Sequence, residues 1–170
     1  MLSSSTNMRV QFVHGLEGSP QGRKATLLAR HFGAHTAAMD TSDFGACVEL
    51  QVETLRQFRP DVLVGSSFGG AVVVELLRRG NWKGPTLLLA QAALRYNPQS
   101  RLPEGVPVML VHGLRDEVID IEDSRRLATT GSADLVRLVE VDDEHDLRVL
   151  CESGRLVELV NETASLGSQP

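Results

Sequence analysis

Short unbroken apolar runs alternate with stretches of helical spacing along almost the whole of this sequence. Arg9–Val13, Asp61–Val64, Pro85–Ala90 and Val106–Val111 read as strands, and the last two are continuously apolar, as strands covered on both faces should be. Leu135–Val141 alternates more clearly, as an edge strand does, and His35–Asp40 is a weaker strand near the start. Between them lie helical patterns. One follows Ser19-Pro20, read as an N-cap and first helical position, with Ala25, Leu28, Ala29 and Phe32 on one face and Gly33 as its stop. A second, from about Ala46 to Phe58, carries Val48, Val52 and Leu55 and halts before Pro60. A third follows the run at 61–64 and continues through Leu76 and Leu77 to Gly80. A fourth carries Ser124, Leu127 and Ala128, and the last, capped by Ser153, presents Leu156, Val157, Leu159 and Val160. Strands alternating with helices predict a three-layer αβα domain with a mostly parallel sheet of about six strands. In such a sheet, functional loops gather beyond the carboxyl ends of the strands.

A chain of 170 residues with 42% hydrophobic content suits one domain, read here as 9–164, flanked by flexible tails at 1–8 and 165–170. The formal charge of -5 and the absence of a Lys/Arg run argue against nucleic-acid and anionic-membrane partners and favour a small molecule. Cys47 and Cys151 are too few for a disulfide framework and lack metal-ligand spacing, so they read as buried thiols of a reducing compartment. His31 and His35 stand four apart, but Gly33 falls between them at a helix stop, which disfavours a metal pair. The residues Met1–Asn7 have neither a basic region nor an apolar core, and no segment approaches membrane-spanning length; the expected location is cytoplasmic. Oligomeric state is not encoded in any pattern found.

The chemistry concentrates at Gly65-Ser66-Ser67-Phe68-Gly69, which follows a buried strand and opens an apolar helix. A serine on so tight a strand-to-helix turn leaves no room for side chains two positions before and after it. Gly65 and Gly69 meet that demand around Ser67, and no such pair flanks Ser66, so Ser67 is the candidate nucleophile. The Phe68 amide then lies at a helix N-terminus, where partial positive charge favours an oxyanion.

A serine hydroxyl needs a base, and the base an acceptor that fixes its tautomer. His14, Asp116 and His145 all follow strand ends. The order Ser67, Asp116, His145 is nucleophile, acid, histidine. Asp120, Asp142 and Asp143 compete for the acid, and His14 and His112 for the base, but each of those histidines precedes a glycine and fits better as a loop-packing residue. The loop after the first strand supplies a second oxyanion amide at Leu16, and His14 there is expected to play a structural part.

These residues resemble the α/β-hydrolases, in particular the minimal bacterial YqiA-type esterases. The similar positions are His14-Gly15, Ser19-Pro20, Lys24-Ala25, Gly65-Ser66-Ser67-Phe68-Gly69-Gly70, Asp116-Glu117-Val118 with Asp120, and His145. The resemblance implies a serine carboxylesterase acting on short, soluble acyl esters with no metal or organic cofactor. It departs from that group in Asp142-Asp143-Glu144 before His145, where glycines are usual, and in Gln91-Ala92-Ala93-Leu94, where an Asn-Pro pair is more typical. Thioester hydrolysis or acyl transfer would use the same residues, and a non-catalytic interaction protein is the reading from another class. A phosphate-cradling loop is disfavoured because the glycines lack the Lys-Ser/Thr of a P-loop.

Only about Ala93 to Gly105 occupy the place where larger members insert a helical cap, so the site is expected to be shallow and open. Glu17, Ala92, Leu94, Val118 and Leu147 are the expected substrate-binding residues. Acidic residues at 17, 117, 142, 143, 144 and 146 are read either as a ring that repels anionic substrates or as carboxylates pointing to water.

Overall fold

The computed structural model describes residues 7–16 and 18–168. Among these residues, five strands form a single parallel sheet in chain order: β1 (Val10–Val13), β2 (Val62–Ser66), β3 (Thr86–Leu89), β4 (Val108–Gly113) and β5 (Val136–Val141). The weak strand expected at 35–40 contributes only an isolated bridge, His35 to Gln11, at the outer edge of β1. Its backbone is tied there by His35 N–H to Val10 O and Phe12 N–H to His35 O. Thr-Ala-Ala-Met follows, with one β-branched residue, too little to extend the pairing.

Successive residues of a strand point to opposite faces, and the apolar runs therefore feed two separate cores. Val62, Val64, Leu87, Leu89, Met109 and Val111 pack on one face, under α1 (Arg23–Phe32) and α7 (Arg155–Leu166). Leu63, Leu88, Val108 and Leu110 pack on the other, under α2 (Phe44–Phe58), α3 (Phe68–Arg79) and α5 (Ile121–Ala128). β2, β3 and β4 are buried throughout, whereas β5 alternates between half-buried and exposed positions, as an edge strand must. Short helices α4 (Ala93–Tyr96) and α6 (Arg148–Glu152) complete the domain.

Several helix boundaries shift from the sequence expectation, for local reasons. α1 starts at Arg23, because Ser19 closes a turn of its own: its hydroxyl accepts from Gln21 N–H and its carbonyl from Gly22 N–H. The Asp43 carboxylate caps α2 by accepting from Ala46 N–H, moving its start upstream to Phe44. Ser153 lies between α6 and α7, whose N-cap is Gly154. α7 continues to Leu166, which is buried, past the point at which the sequence suggests a loose tail. Met8 packs against the core, while 1–6 and 169–170 fall outside the described residues. The segment between β3 and β4 holds only α4 and a coil, so among the described residues no cap covers the carboxyl ends of the strands. Among the described residues, no helix is long and apolar enough to cross a membrane.

Candidate active site

Ser67 stands between the last residue of β2 and the first of α3, with φ 54 and ψ -115. That backbone is strained for a side-chain-bearing residue, by roughly 1–3 kcal/mol. Three main-chain hydrogen bonds hold it. Ser67 N–H donates to Leu89 O at 2.9 Å, and Ser67 O accepts from Ala92 N–H at 3.0 Å and Ala71 N–H at 3.2 Å. Gly65 and Gly69 are required by contact: a Cβ on Gly65 would sit 2.6 Å from Val73 Cγ2 and 2.7 Å from Gly69 O. The serine is thus fixed by β2, β3 and α3 together.

Its hydroxyl meets His145, which follows β5: Ser67 Oγ and His145 Nε2 are 3.0 Å apart. His145 Nδ1 lies 2.8 Å from Asp116 Oδ2, in the turn after β4. A carboxylate only accepts, so Nδ1 carries the proton and Nε2 is free to accept from the serine. The Asp116 side chain has no solvent exposure, while 24% of the His145 side chain remains accessible, which leaves the acid sealed and the base open to a reactant. Burial pushes the Asp116 carboxyl up, but the N–H groups of Ile119 and Val118 and the bond to His145 outweigh it, and the group lies below its ordinary value.

The other candidate acids and bases are committed elsewhere. Asp120 caps α5 by accepting from Glu122 N–H. Asp143 is buried and accepts from Glu144 N–H and Leu150 N–H. Asp142 and Glu144 both pair with Arg115, at 2.8 and 3.1 Å. His14 has both ring nitrogens on main chain, Nδ1 with Gly15 O at 2.8 Å and Nε2 accepting from Met39 N–H at 3.0 Å. His112 is wholly buried beneath Asp116.

A cavity of ≈ 510 Å³ opens over Ser67 and His145, with Leu16, Val118, Arg23 and Lys24 in its walls. A second, of ≈ 690 Å³, lies beyond His145 against Leu114, Arg115, Glu117 and Val118. Val118, half exposed, borders both. Leu16 is exposed at the mouth of the first, and Phe68 opens α3, where a first-turn N–H has no acceptor within the helix.

Three residues expected to bind substrate face the interior instead. Leu147 adopts φ 52, which turns its side chain into the core under α1, and it has no exposed surface. Ala92 packs with Ala71 and Ile119 while its amide supports Ser67, and Leu94 is buried at the start of the short α4. Glu17 lies outside the described residues. Lys24 enters the sequence reading only as part of the Lys24-Ala25 resemblance, with no role attached: in the structure its ammonium donates to Asp146 O at 2.7 Å and ties α1 to the loop of His145. Burial pulls that ammonium below its ordinary value. A polar residue inside an otherwise apolar helical stripe was the available signal.

No family model matches the chain, and no curated protein sequence matches it. Solved structures do. A protein described as a hydrolase of the alpha/beta superfamily from Xanthomonas campestris pv. campestris superposes with a TM-score of 0.76 at 21% identity, over 92% of this chain and 98% of that one. The fold is that of the α/β-hydrolases. Within this α/β-hydrolase fold, similarity extends to a monoacylglycerol lipase from Paleococcus ferrophilus, with a TM-score of 0.72 at 15% identity over 93% of this chain and 94% of that one. Est1E from Butyrivibrio proteoclasticus gives 0.65 at 18%, over 93% and 88%. The α/β-hydrolase architecture here is small, with no cap among the described residues.

Proposed function

We propose that this protein is a serine hydrolase that cleaves short-chain, soluble carboxylic esters through an acyl-enzyme intermediate. The observation that carries the reading is the unbroken line from Ser67 Oγ to His145 Nε2, 3.0 Å, and from His145 Nδ1 to Asp116 Oδ2, 2.8 Å. Ser67 Oγ attacks the ester carbonyl carbon as its proton passes to His145 Nε2. Asp116 orients the ring and stabilises the imidazolium without taking the proton. The tetrahedral oxyanion accepts hydrogen bonds from the Phe68 and Leu16 amides. Collapse expels the alkoxide, which takes the proton from His145, and leaves the acyl group on Ser67. A water activated by His145 then attacks the acyl carbon, releasing the acid and restoring the serine.

Two features support short substrates. The site lacks a cap, and its walls near the serine combine half-exposed Val118 and exposed Leu16 with the polar Arg23 and Lys24. A long acyl chain would find little continuous apolar wall there, so its extra methylenes would gain little binding energy. The motifs resemble those of the YqiA-type esterases, and this reading extends that resemblance to the reaction. Steady-state hydrolysis of p-nitrophenyl acetate, butyrate and decanoate tests it: kcat/KM is expected to fall from the short esters to the decanoate. An absence of turnover on all three by folded protein would remove the reading.

A further inference from the structure

Beneath the acid lies a buried polar chain that the reaction just described does not use. Gln91, Ser124 and His112 have no exposed surface, although they stand on three different elements, the loop after β3, α5 and β4. Their hydrogen bonds run in one direction. Ala93 N–H donates to Gln91 Oε1 at 2.8 Å, which fixes the amide so that Gln91 Nε2 donates to Ser124 Oγ at 2.9 Å. Ser124 Oγ lies 2.7 Å from His112 Nδ1. The other ring nitrogen, Nε2, is 2.9 Å from Ile119 O, a group that can only accept, so the proton resides on Nε2 and Nδ1 accepts from the serine hydroxyl. That same Nε2 is 3.1 Å from Asp116 Oδ2, the oxygen that also receives His145.

Resting on the hydrolase reading, the structure assigns His112 the part of a positioning residue: with Ser124 and Gln91 behind it, it holds the 116–119 turn and presents Asp116 Oδ2 to His145. The turn is gripped from both ends. Ile119 N–H and Val118 N–H donate to Asp116 Oδ1, and the Ile119 carbonyl takes the His112 N–H. The chain also returns to the nucleophile, because the amide of Ala92, next to Gln91, donates to Ser67 O. One buried network thereby spaces the acid against the serine, and such networks are worth most when every member is satisfied.

Loss of the His112 N–H removes a positive dipole from beside a sealed carboxylate. The carboxylate then attracts a proton on His145 more strongly, and the base is neutral only at higher pH. The charged groups around the pair are Arg115, held by Asp142 and Glu144; Glu117, Asp146, Arg23 and Lys24 on the cavity side; Asp143, buried in the loop before His145; and Arg95 of α4, whose guanidinium donates to Val118 O on the turn. The experiment compares His112→Phe, His112→Gln and Ser124→Ala with wild type on p-nitrophenyl acetate across pH, with thermal melting as the check on folding. His112→Phe is expected to lower kcat by about tenfold to a hundredfold, below the ~10⁴-fold cost of losing the acid's own role, with KM little changed and the acid limb of kcat/KM moved to higher pH. His112→Gln, which keeps a donor, recovers part of both effects, and Ser124→Ala shows the same displacement of the limb in smaller measure. If folded His112→Phe keeps wild-type kcat, or loses it equally at every pH with no recovery in His112→Gln, the positioning role is wrong. Should His112→Phe not fold, an unmoved acid limb in Ser124→Ala overturns it. A wild type without turnover sinks the hydrolase reading as well, and is told apart by that alone.

Discussion

A Cβ on Gly69 would lie 2.0 Å from the carbonyl oxygen of Val13, so the elbow helix and the first strand approach each other main chain to main chain. That oxygen belongs to β1 and cannot swing away as a side chain could. Gly69→Ala is therefore expected to cost at least the ~1–3 kcal/mol of an overpacked core and to displace Phe68 N–H with it. Urea unfolding and ester hydrolysis measured on the same sample check this: both stability and kcat should fall, and a variant as stable and active as wild type would show that α3 tolerates a shift.

Asp116→Asn keeps the shape of the acid and removes its charge. An amide in its place offers His145 Nδ1 an N–H as readily as an oxygen, so the ring loses its required tautomer. The expected loss in kcat is roughly 10⁴-fold with KM near wild type. An effect under tenfold would mean that another carboxylate supports His145.

The arrangement also fixes a direction for acid stability. Asp116 is held below its ordinary value in the folded protein, through the Ile119 and Val118 N–H groups and His145, against its burial. Its stabilisation is present in full above the unfolded value, about pH 4, and is lost as pH falls through the lower folded value. Glu75 on α3 behaves alike: the Arg78 hydrogen bond, with Arg79, lowers it to about 2 despite partial burial. Glu75→Gln should lower the Tm at pH 7 and match wild type once pH drops below about 2, as followed by circular dichroism. A Tm difference that persists at that pH would contradict the pairing.

Of the acidic residues that ring the site in sequence, Asp142 and Glu144 share Arg115, and Asp143 is buried in capping bonds. The field facing a substrate is weaker than the count of carboxylates implies. Wild-type kcat/KM for a succinate monoester relative to a neutral acetate is expected to change by less than about threefold between low and moderate salt. Arg115→Ala should lower the succinate ester's relative efficiency at low salt, where unpaired charges act at longer range. A strong salt dependence in wild type would restore the repulsive ring.

Much of this was legible because the elbow writes its constraints in residue types. Gly65 and Gly69 leave Ser67 as the one serine at the right offset, and the all-buried β2, β3 and β4 appear as unbroken apolar runs. The weak strand at 35–40 failed to form more than a bridge because two backbone bonds to β1 satisfy His35 without help from its neighbours. Leu147 departs from the expectation for a different reason: its left-handed backbone, rare in a leucine, sends the side chain inward, and no local pattern announces that. Likewise Gln91 and Ser124 look like ordinary loop and helix polar residues until folding brings them, from 33 positions apart, into one hydrogen bond.

The most direct test of the account is the site of covalent capture. A fluorophosphonate probe added to folded protein, followed by peptide mass spectrometry, should give one adduct, on Ser67, that forms slowly in Asp116→Asn and not at all in Ser67→Ala. Folded wild-type protein that stays unlabelled, or carries the adduct on another residue, would contradict it.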